Sequence, residues 1–398
     1  MPLTHALSRD PDAGFTASPA ITLLLAAACG LIAANLYYAQ PLAGPIGAAL
    51  GLAPAATGLI VTLTQIGYGT GLLLIVPLGD LVESRKLVRL LIALAALALL
   101  GAGLSTRPLP FLAAMLTVGL VSVAAQVLVP YAAHMAPEAH RGRMVGNVMS
   151  GLLMGIMLAR PVSSFIAQLA SWHAVFFLSA AAMALLAVLL GVALPRRQPN
   201  STLGYGALLA SMGRLVRTTP VLRRRALYQA AMFGAFSLFW TTAPLRLASE
   251  FHLSQSGIAL FALAGVAGAI ASPIAGRLAD AGHSRIATWM AMGCAIGAFA
   301  LSRAGAPGSV AALAALVLAG IVLDFGVTTN LVIGQRAIFA LGADVRSRLN
   351  GLYMATFFAG GALGSACGGF AFARGGWPAA AWLGLALPVA ALAYCATE

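Results

Sequence analysis

Residues 309–334 read SVAALAALVLAGIVLDFGVTTNLVIG, an apolar run interrupted by a single carboxylate, Asp324. The hydrocarbon core of a bilayer is about 30 Å thick and takes about 20 apolar residues of helix to cross. The stretch therefore predicts a transmembrane helix with Asp324 near its middle. The rest of the chain agrees. Of 398 residues, 61% are hydrophobic and 8% charged, against about 25% charged in a soluble domain. So few charges cannot cover a water-soluble globule of this size. The mean hydropathy is +0.94, and 44 glycines are spread through the apolar stretches, a usage commoner in membrane helices than in soluble ones. This composition argues against a soluble enzyme, a nucleic-acid binder and a secreted disulfide scaffold.

Cutting the chain at charged or Pro/Gly-rich breaks yields twelve spans, near 19–41, 55–79, 87–105, 110–134, 144–168, 174–194, 226–248, 257–279, 286–303, 309–334, 349–370 and 378–395. The run from Ala20 to Ala34 reads as the first span rather than a leader, because Asp10 and Asp12 stand where a basic segment belongs. The only long polar break, rich in arginine and proline, divides the spans six and six. The predicted organisation is a tail over 1–18, a six-helix bundle over 19–194, a linker over 195–225 and a second bundle over 226–398.

The net charge of +13 would suggest nucleic acid in a soluble protein. Its distribution indicates membrane orientation instead. If the N-terminus is cytoplasmic, eighteen basic residues face the cytoplasm, from Arg9 through Arg85, Lys86 and Arg89 to Arg346 and Arg348. Four face the other side: Arg107, Arg246, Arg303 and Arg374. This positive-inside bias predicts both termini in the cytoplasm. Cys29, Cys294, Cys367 and Cys395 fall in or beside apolar runs without metal-ligand spacing, and read as small packing residues.

An internal repeat supports the division. Gly79-Asp80 with Arg85-Lys86 follows the second span, and Gly276-Arg-Leu-Ala-Asp280 with Arg285 follows the eighth. Asn35-Leu-Tyr-Tyr-Ala-Gln-Pro41 is echoed by Ser237-Leu-Phe-Trp-Thr-Thr-Ala-Pro244, and Arg141-Gly-Arg143 by Arg346-Ser-Arg348. Since six is even, the two halves share one orientation, the parallel-repeat arrangement of two-bundle secondary transporters.

These residues resemble the major facilitator superfamily, whose loop motif after the second helix runs approximately Gly-x-x-x-Asp-x-x-Gly-Arg-Arg/Lys. Gly276, Asp280, Gly282 and Arg285 match it. The first half departs from it, with Val76 and Glu83 at the two glycine positions. Asn35 to Pro41, followed by Pro77-Leu-Gly-Asp80, looks like the bacterial branch that exports drugs and metabolites against protons. That branch's fourth-helix arginine is replaced by an arginine-free stretch containing Gln126. Its fifth-helix glycine ladder survives as Gly146, Gly151 and Gly155 but ends in Arg160-Pro161. The resemblance implies an all-α major facilitator fold of twelve transmembrane helices in two six-helix bundles, located in the bacterial inner membrane. It also implies that spans 1, 4, 7 and 10 line a central cavity.

Two charges lie deep in predicted spans. A carboxylate near the bilayer centre is costly unless neutralised, paired or hydrated, which makes Asp324 a candidate proton carrier, with a structural ion pair as the alternative. Arg160 could attract an anionic substrate group, pair with Asp324 across the bundles, or face water near the outer surface. Helical spacing places Thr328 on the Asp324 face, Asn35 with Tyr38 in span 1, and Phe233, Ser237 and Trp240 together in span 7; Gln126 sits with Gly119 and Ser122 in span 4. Under the resemblance these are candidate substrate contacts, and helix packing is the competing reading for each. Asp80, Arg85, Lys86, Asp280 and Arg285 form a candidate conformational latch, their carboxylates suited to helix N-termini and their cations to backbone carbonyls. Gly151, Gly155, Gly360, Gly361 and Gly364 would let spans 5 and 11 approach other helices closely.

The sequence contains no phosphate-binding loop for ATP and no metal-ligand constellation, so no cofactor is expected. The expected function is non-enzymatic: proton-coupled efflux of a small, moderately hydrophobic organic compound by alternating access, with uptake or exchange of a small organic anion at Arg160 as the alternative. The expected partners are a small-molecule substrate, protons and the bilayer, without nucleic acid. A monomer suffices, because both repeats lie in one chain.

Overall fold

A computed structural model describes residues 19–136, 140–195, 204–342 and 345–398, with only the backbone described for 266–270, 279 and 280. All regular elements among these residues are helical. The first span is α1 (Pro19–Ala34). From Asn35 the backbone tightens into i→i+3 hydrogen bonds that run to Leu42, and a short α2 (Ala43–Leu50) follows. The helix expected to reach residue 41 therefore ends earlier. Pro41 lacks an N–H and disfavours helical geometry in the residue before it.

The second span is α3 (Leu59–Leu74) with a 3-10 turn over Val76–Asp80, and the third is α4 (Ser84–Leu104). The fourth is two helices, α5 (Pro108–Val121) and α6 (Ala124–His134). At the break, the Ser122 hydroxyl donates to the Val118 carbonyl at 2.7 Å, a back-bond that commonly bends helices. The face expected to run unbroken through Gly119, Ser122 and Gln126 is thus interrupted. α7 (Arg141–Leu169) and α8 (Trp172–Ala193) complete the first half.

The stretch expected as a linker carries an amphipathic helix, α9 (Tyr205–Thr218), which buries Leu208 and Met212. The Tyr205 hydroxyl donates to the Leu74 carbonyl at 2.7 Å, and Arg348 donates to the Ser211 hydroxyl at 2.9 Å. One helix is therefore tied to both halves. The expected linker residues 196–203, which include Arg196 and Arg197, and the tail 1–18 lie outside the described residues.

The second half opens with α10 (Pro220–Ser249), which begins six residues before the predicted boundary at 226. It continues with α11 (Gln255–Ala262), a 3-10 turn over Leu263–Ala267, α12 (Gly268–Asp280), α13 (Ser284–Leu301), α14 (Val310–Phe339) and α15 (Arg346–Cys395). α15 is two spans joined where Gly375 and Gly376 leave helical geometry, with Gly376 at φ 59°. Among the described residues, eight segments are both long and apolar enough to cross a membrane. The last of these is α15 with its two crossings. α1, α10 and the α11–α12 pair supply the remaining three of the twelve-helix architecture. α10 is less apolar than those eight segments because Gln229, Ser237, Trp240, Thr241 and Thr242 lie along it.

The repeat is visible in the packing. A Cβ on Gly155 would lie 2.1 Å from the Gly30 carbonyl oxygen, and one on Gly151 would lie 2.4 Å from that of Ala26. These are backbone-to-backbone approaches of α7 to α1 that no larger residue permits. In the second half, a Cβ on Gly364 would lie 2.0 Å from the Gly234 oxygen, and one on Gly360 would lie 2.1 Å from that of Ala230. Ala26 and Gly30 thus correspond to Ala230 and Gly234, and Gly151 and Gly155 to Gly360 and Gly364. The halves meet along two symmetric seams: α3 packs on α15, and α7 packs on α11.

Candidate functional site

Three helices and one turn converge where the halves meet. α7 brings Arg160, α10 brings Phe236 and Trp240, α14 brings Asp324, and the turn after α1 brings Tyr37 and Gln40. Arg160 and Asp324 are each only 4% exposed. The Trp240 Nε1–H donates to Asp324 Oδ1 at 2.8 Å. The other edge of the arrangement is a cation over the same ring, with the Arg160 guanidinium carbon 4.6 Å from the Trp240 centroid. Tyr37 and Phe236 add two more faces, each at 5.1 Å. Cation–π contacts with desolvated rings contribute about 2 kcal/mol or more at best, so three rings offset part of the cost of burying this charge.

Arg160 and Asp324 interact electrostatically but form no direct ion pair. The pairs within 4.0 Å among the described residues are Lys86–Glu83, Arg225–Glu398 and Arg246–Glu250. Of the three sequence readings of Arg160, exposure to water at the outer surface is therefore excluded, and direct pairing with Asp324 is replaced by an indole bridge. Gly265, in the turn after α11, packs on this bridge. A Cβ there would lie 2.9 Å from Asp324 Oδ2 and 3.2 Å from Trp240 Cζ2.

Arg160 Nε donates to Gln40 Oε1 at 2.7 Å. Arg160 Nη2 and Gln40 Nε2 are buried without a hydrogen-bond partner. Arg246 provides the contrast, because it is equally buried but satisfied. It holds Glu250 at 2.7 Å and the Ser302 carbonyl at 2.8 Å. Of the two buried arginines among the described residues, Arg246 is a structural cation and Arg160 retains an unused donor.

The other predicted contacts are dispersed. Asn35 Oδ1 accepts from the Ser179 hydroxyl at 2.6 Å, joining the turn after α1 to α8 inside the first half. Tyr38 lines a groove of about 330 Å³ between α1 and α7. Gln126 donates to the Tyr68 hydroxyl at 3.0 Å, which ties α6 to α3. Phe233 stacks on Phe357 at 3.6 Å and on Phe236 at 5.2 Å. Ser237 receives a hydrogen bond from Gln65 Nε2 at 2.9 Å across the seam between the halves. Thr328 is half-buried on α14. Of the predicted substrate contacts, the structure brings only Trp240 directly against both charges.

Three of the proposed latch residues have local contacts. Arg85 donates to the Gly191 carbonyl at the end of α8, within its own half. Lys86 pairs locally with Glu83 at 3.3 Å, and Arg285 lies over Trp289 at 5.8 Å. Asp80 is exposed, and the Asp280 side chain lies outside the described residues. Arg336, not singled out from the sequence, donates to the Gly276 carbonyl at 2.7 Å and so joins α14 to α12.

Sequence reasoning missed Tyr37, Gln40, Phe236, Gln65 and Gly265. Signals for three of them were present. Tyr37 and Gln40 stand three residues apart inside the quoted Asn35–Pro41 motif, and Gln65 is the only amide in the second span. Among the described residues, no group of three His, Cys, Asp or Glu side chains could hold a metal ion.

Residues 23–343 and 226–397 match the sequence profile of the Major Facilitator Superfamily. The chain is 37% identical over 365 residues to the uncharacterized transporter YgaY of Escherichia coli O157:H7, covering 90% of this chain and 91% of that one. It is 33% identical over 398 residues to the probable transporter SCO4007 of Streptomyces coelicolor, covering 96% and 90%. Its fold matches the crystal structure of a bacterial homolog of the human lysosomal transporter Spinster, in an inward-facing, unoccupied conformation. That match has a TM-score of 0.71 at 14% identity, covering 96% of each chain. The chain belongs to the Major Facilitator Superfamily and is a membrane transporter.

Proposed function

We propose that this transporter exports a small, moderately hydrophobic organic solute in exchange for protons, by alternating access, from a bacterial inner membrane with both termini in the cytoplasm. The observation that carries the reading is the Arg160–Trp240–Asp324 bridge. Two opposite charges come from opposite halves, both are buried, and they communicate through one indole rather than through an ion pair. A carboxylate held by a single indole hydrogen bond is poorly compensated for its burial. Movement of the halves that strips away Trp240 or admits water changes its preference between charged and protonated forms. Asp324 is thereby the proton-responsive group, and the aromatic walls around Arg160 suit an amphiphilic solute. Tyr38, Asn35, Gln126, Phe233, Ser237 and Thr328 act around this centre as packing and seam residues. Asp80, Arg85, Lys86, Asp280 and Arg285 serve the closure of the arginine-rich face.

In proteoliposomes, an imposed pH gradient should drive solute movement in the wild type and should not in Asp324→Asn. Equal gradient-driven transport in that variant would remove Asp324 from the mechanism. A second reading, uptake or exchange of a small organic anion, is favoured by the unpartnered Nη2 of Arg160. Its mark is transport that requires a carboxylate on the substrate and is lost in Arg160→Gln.

A further inference from the structure

We infer that Gln40 and Arg160 together form the carboxylate-binding end of the solute site, so that the cargo is an amphiphilic organic acid carrying an aromatic or other flat apolar body. The inference rests on the transport function proposed above and assigns the chemistry of its solute. Two donors, Arg160 Nη2 and Gln40 Nε2, are buried with no acceptor. They belong to side chains already locked together by the bond from Arg160 Nε to Gln40 Oε1 at 2.7 Å. Gln40 is 1% exposed and Arg160 4%, so neither group has bulk water as its partner in this conformation.

A buried donor left without an acceptor is costly, and more so when it is charged. A carboxylate has two oxygens and about four acceptor positions, enough to satisfy both donors at once and to neutralise the guanidinium. A hydroxyl or a single carbonyl could accept from these donors but would leave the charge uncompensated. The Coulombic partner that could otherwise fill this role, Asp324, is held at the N–H edge of the indole by Trp240 and makes no ion pair with Arg160 within 4.0 Å. One face of the guanidinium site belongs to the first half, through Tyr37, and the other to the second half, through Phe236 and Trp240. Separating the halves therefore uncovers the donors and the ring faces together, and these match the two ends of an aromatic acid.

The test uses the full-length protein in detergent and three pairs of probes: benzoate, 2-naphthoate and decanoate, each beside its neutral primary amide. Binding is measured by equilibrium dialysis of labelled probe. At least one acid should bind tenfold or more tightly than its amide, with the naphthoate pair showing the largest ratio. Gln40→Glu, which sets an anion where the amide donor stood, should lower acid affinity tenfold or more and leave amide affinity within twofold. Gln40→Leu should give the same direction with a smaller loss. Acid-to-amide ratios near one for all three pairs in the wild type would overturn the inference without reference to any variant, as would a Gln40→Glu protein with an unchanged ratio. Proton flux in proteoliposomes separates this inference from proton exchange. A retained acid preference with no solute-driven proton movement removes the exchange proposal alone. Proton movement driven equally by acid and amide removes the carboxylate assignment alone.

Discussion

Trp240 presents its ring face to a cation and its N–H to an anion, and the two roles can be separated by substitution. Trp240→Phe keeps a ring beside Arg160 but withdraws the donor that Asp324 accepts at 2.8 Å. Leaving a buried acceptor without its partner costs about 1–3 kcal/mol, so the thermal midpoint of the purified protein should fall. An unchanged midpoint would mean that the carboxylate finds another donor. Gly265 tests the same contact from the other side. Its Cβ in Gly265→Ala would sit 2.9 Å from Asp324 Oδ2, and overpacking of this kind costs about 1–3 kcal/mol. The expected outcome is a loss of gradient-driven transport larger than the loss of solute binding, measured side by side in proteoliposomes and in detergent. Arg246 shows why neither expectation extends to every buried charge here: its carboxylate and carbonyl acceptors are already in place.

Among the helices, the α1–α7 and α10–α15 contacts are the same contact made twice, each resting on glycines whose missing side chains bring backbones together. Gly155→Ala would place a methyl 2.1 Å from the Gly30 oxygen, and Gly364→Ala would place one 2.0 Å from that of Gly234. Backbone cannot yield as a flexible side chain does. Both variants should be destabilised by about 1–3 kcal/mol or more and by similar amounts, as read from thermal unfolding. Gly146 belongs to the same sequence ladder, but its Cβ would meet nothing within 4 Å. Gly146→Ala should be neutral, and comparable losses at all three positions would show that general helix stiffness rather than close packing is at issue. α9 illustrates a different rule. A segment that reads as an arginine-rich linker folds as a helix because Leu208 and Met212, one turn apart, share one buried face.

For the molecule as a whole, alternating access requires the seams between the halves to open. Thr62 and Ser365 face each other across the α3–α15 seam, with their hydroxyls 2.8 Å apart. In a background where Cys29, Cys294, Cys367 and Cys395 are alanine, Thr62→Cys with Ser365→Cys should crosslink on oxidation. Transport should drop at least tenfold and recover with reductant; a crosslinked protein that transports at full rate would show that this seam never separates. The twelve-span architecture and the duplication were legible in the sequence. Runs of about 20 apolar residues have few other places to go than a bilayer, and repeated motifs of one orientation imply repeated bundles. Asp324 and Arg160 stood out for the related reason that charges are expensive in those runs. Hydropathy and periodicity did not reveal that both contact one indole, that Gln40 completes the cation's surroundings, or that Asn35 and Gln126 turn into their own half. Such facts depend on which faces of helices remote in the chain are brought together, and that was decided only when α7, α10, α14 and the turn after α1 met at the junction of the halves.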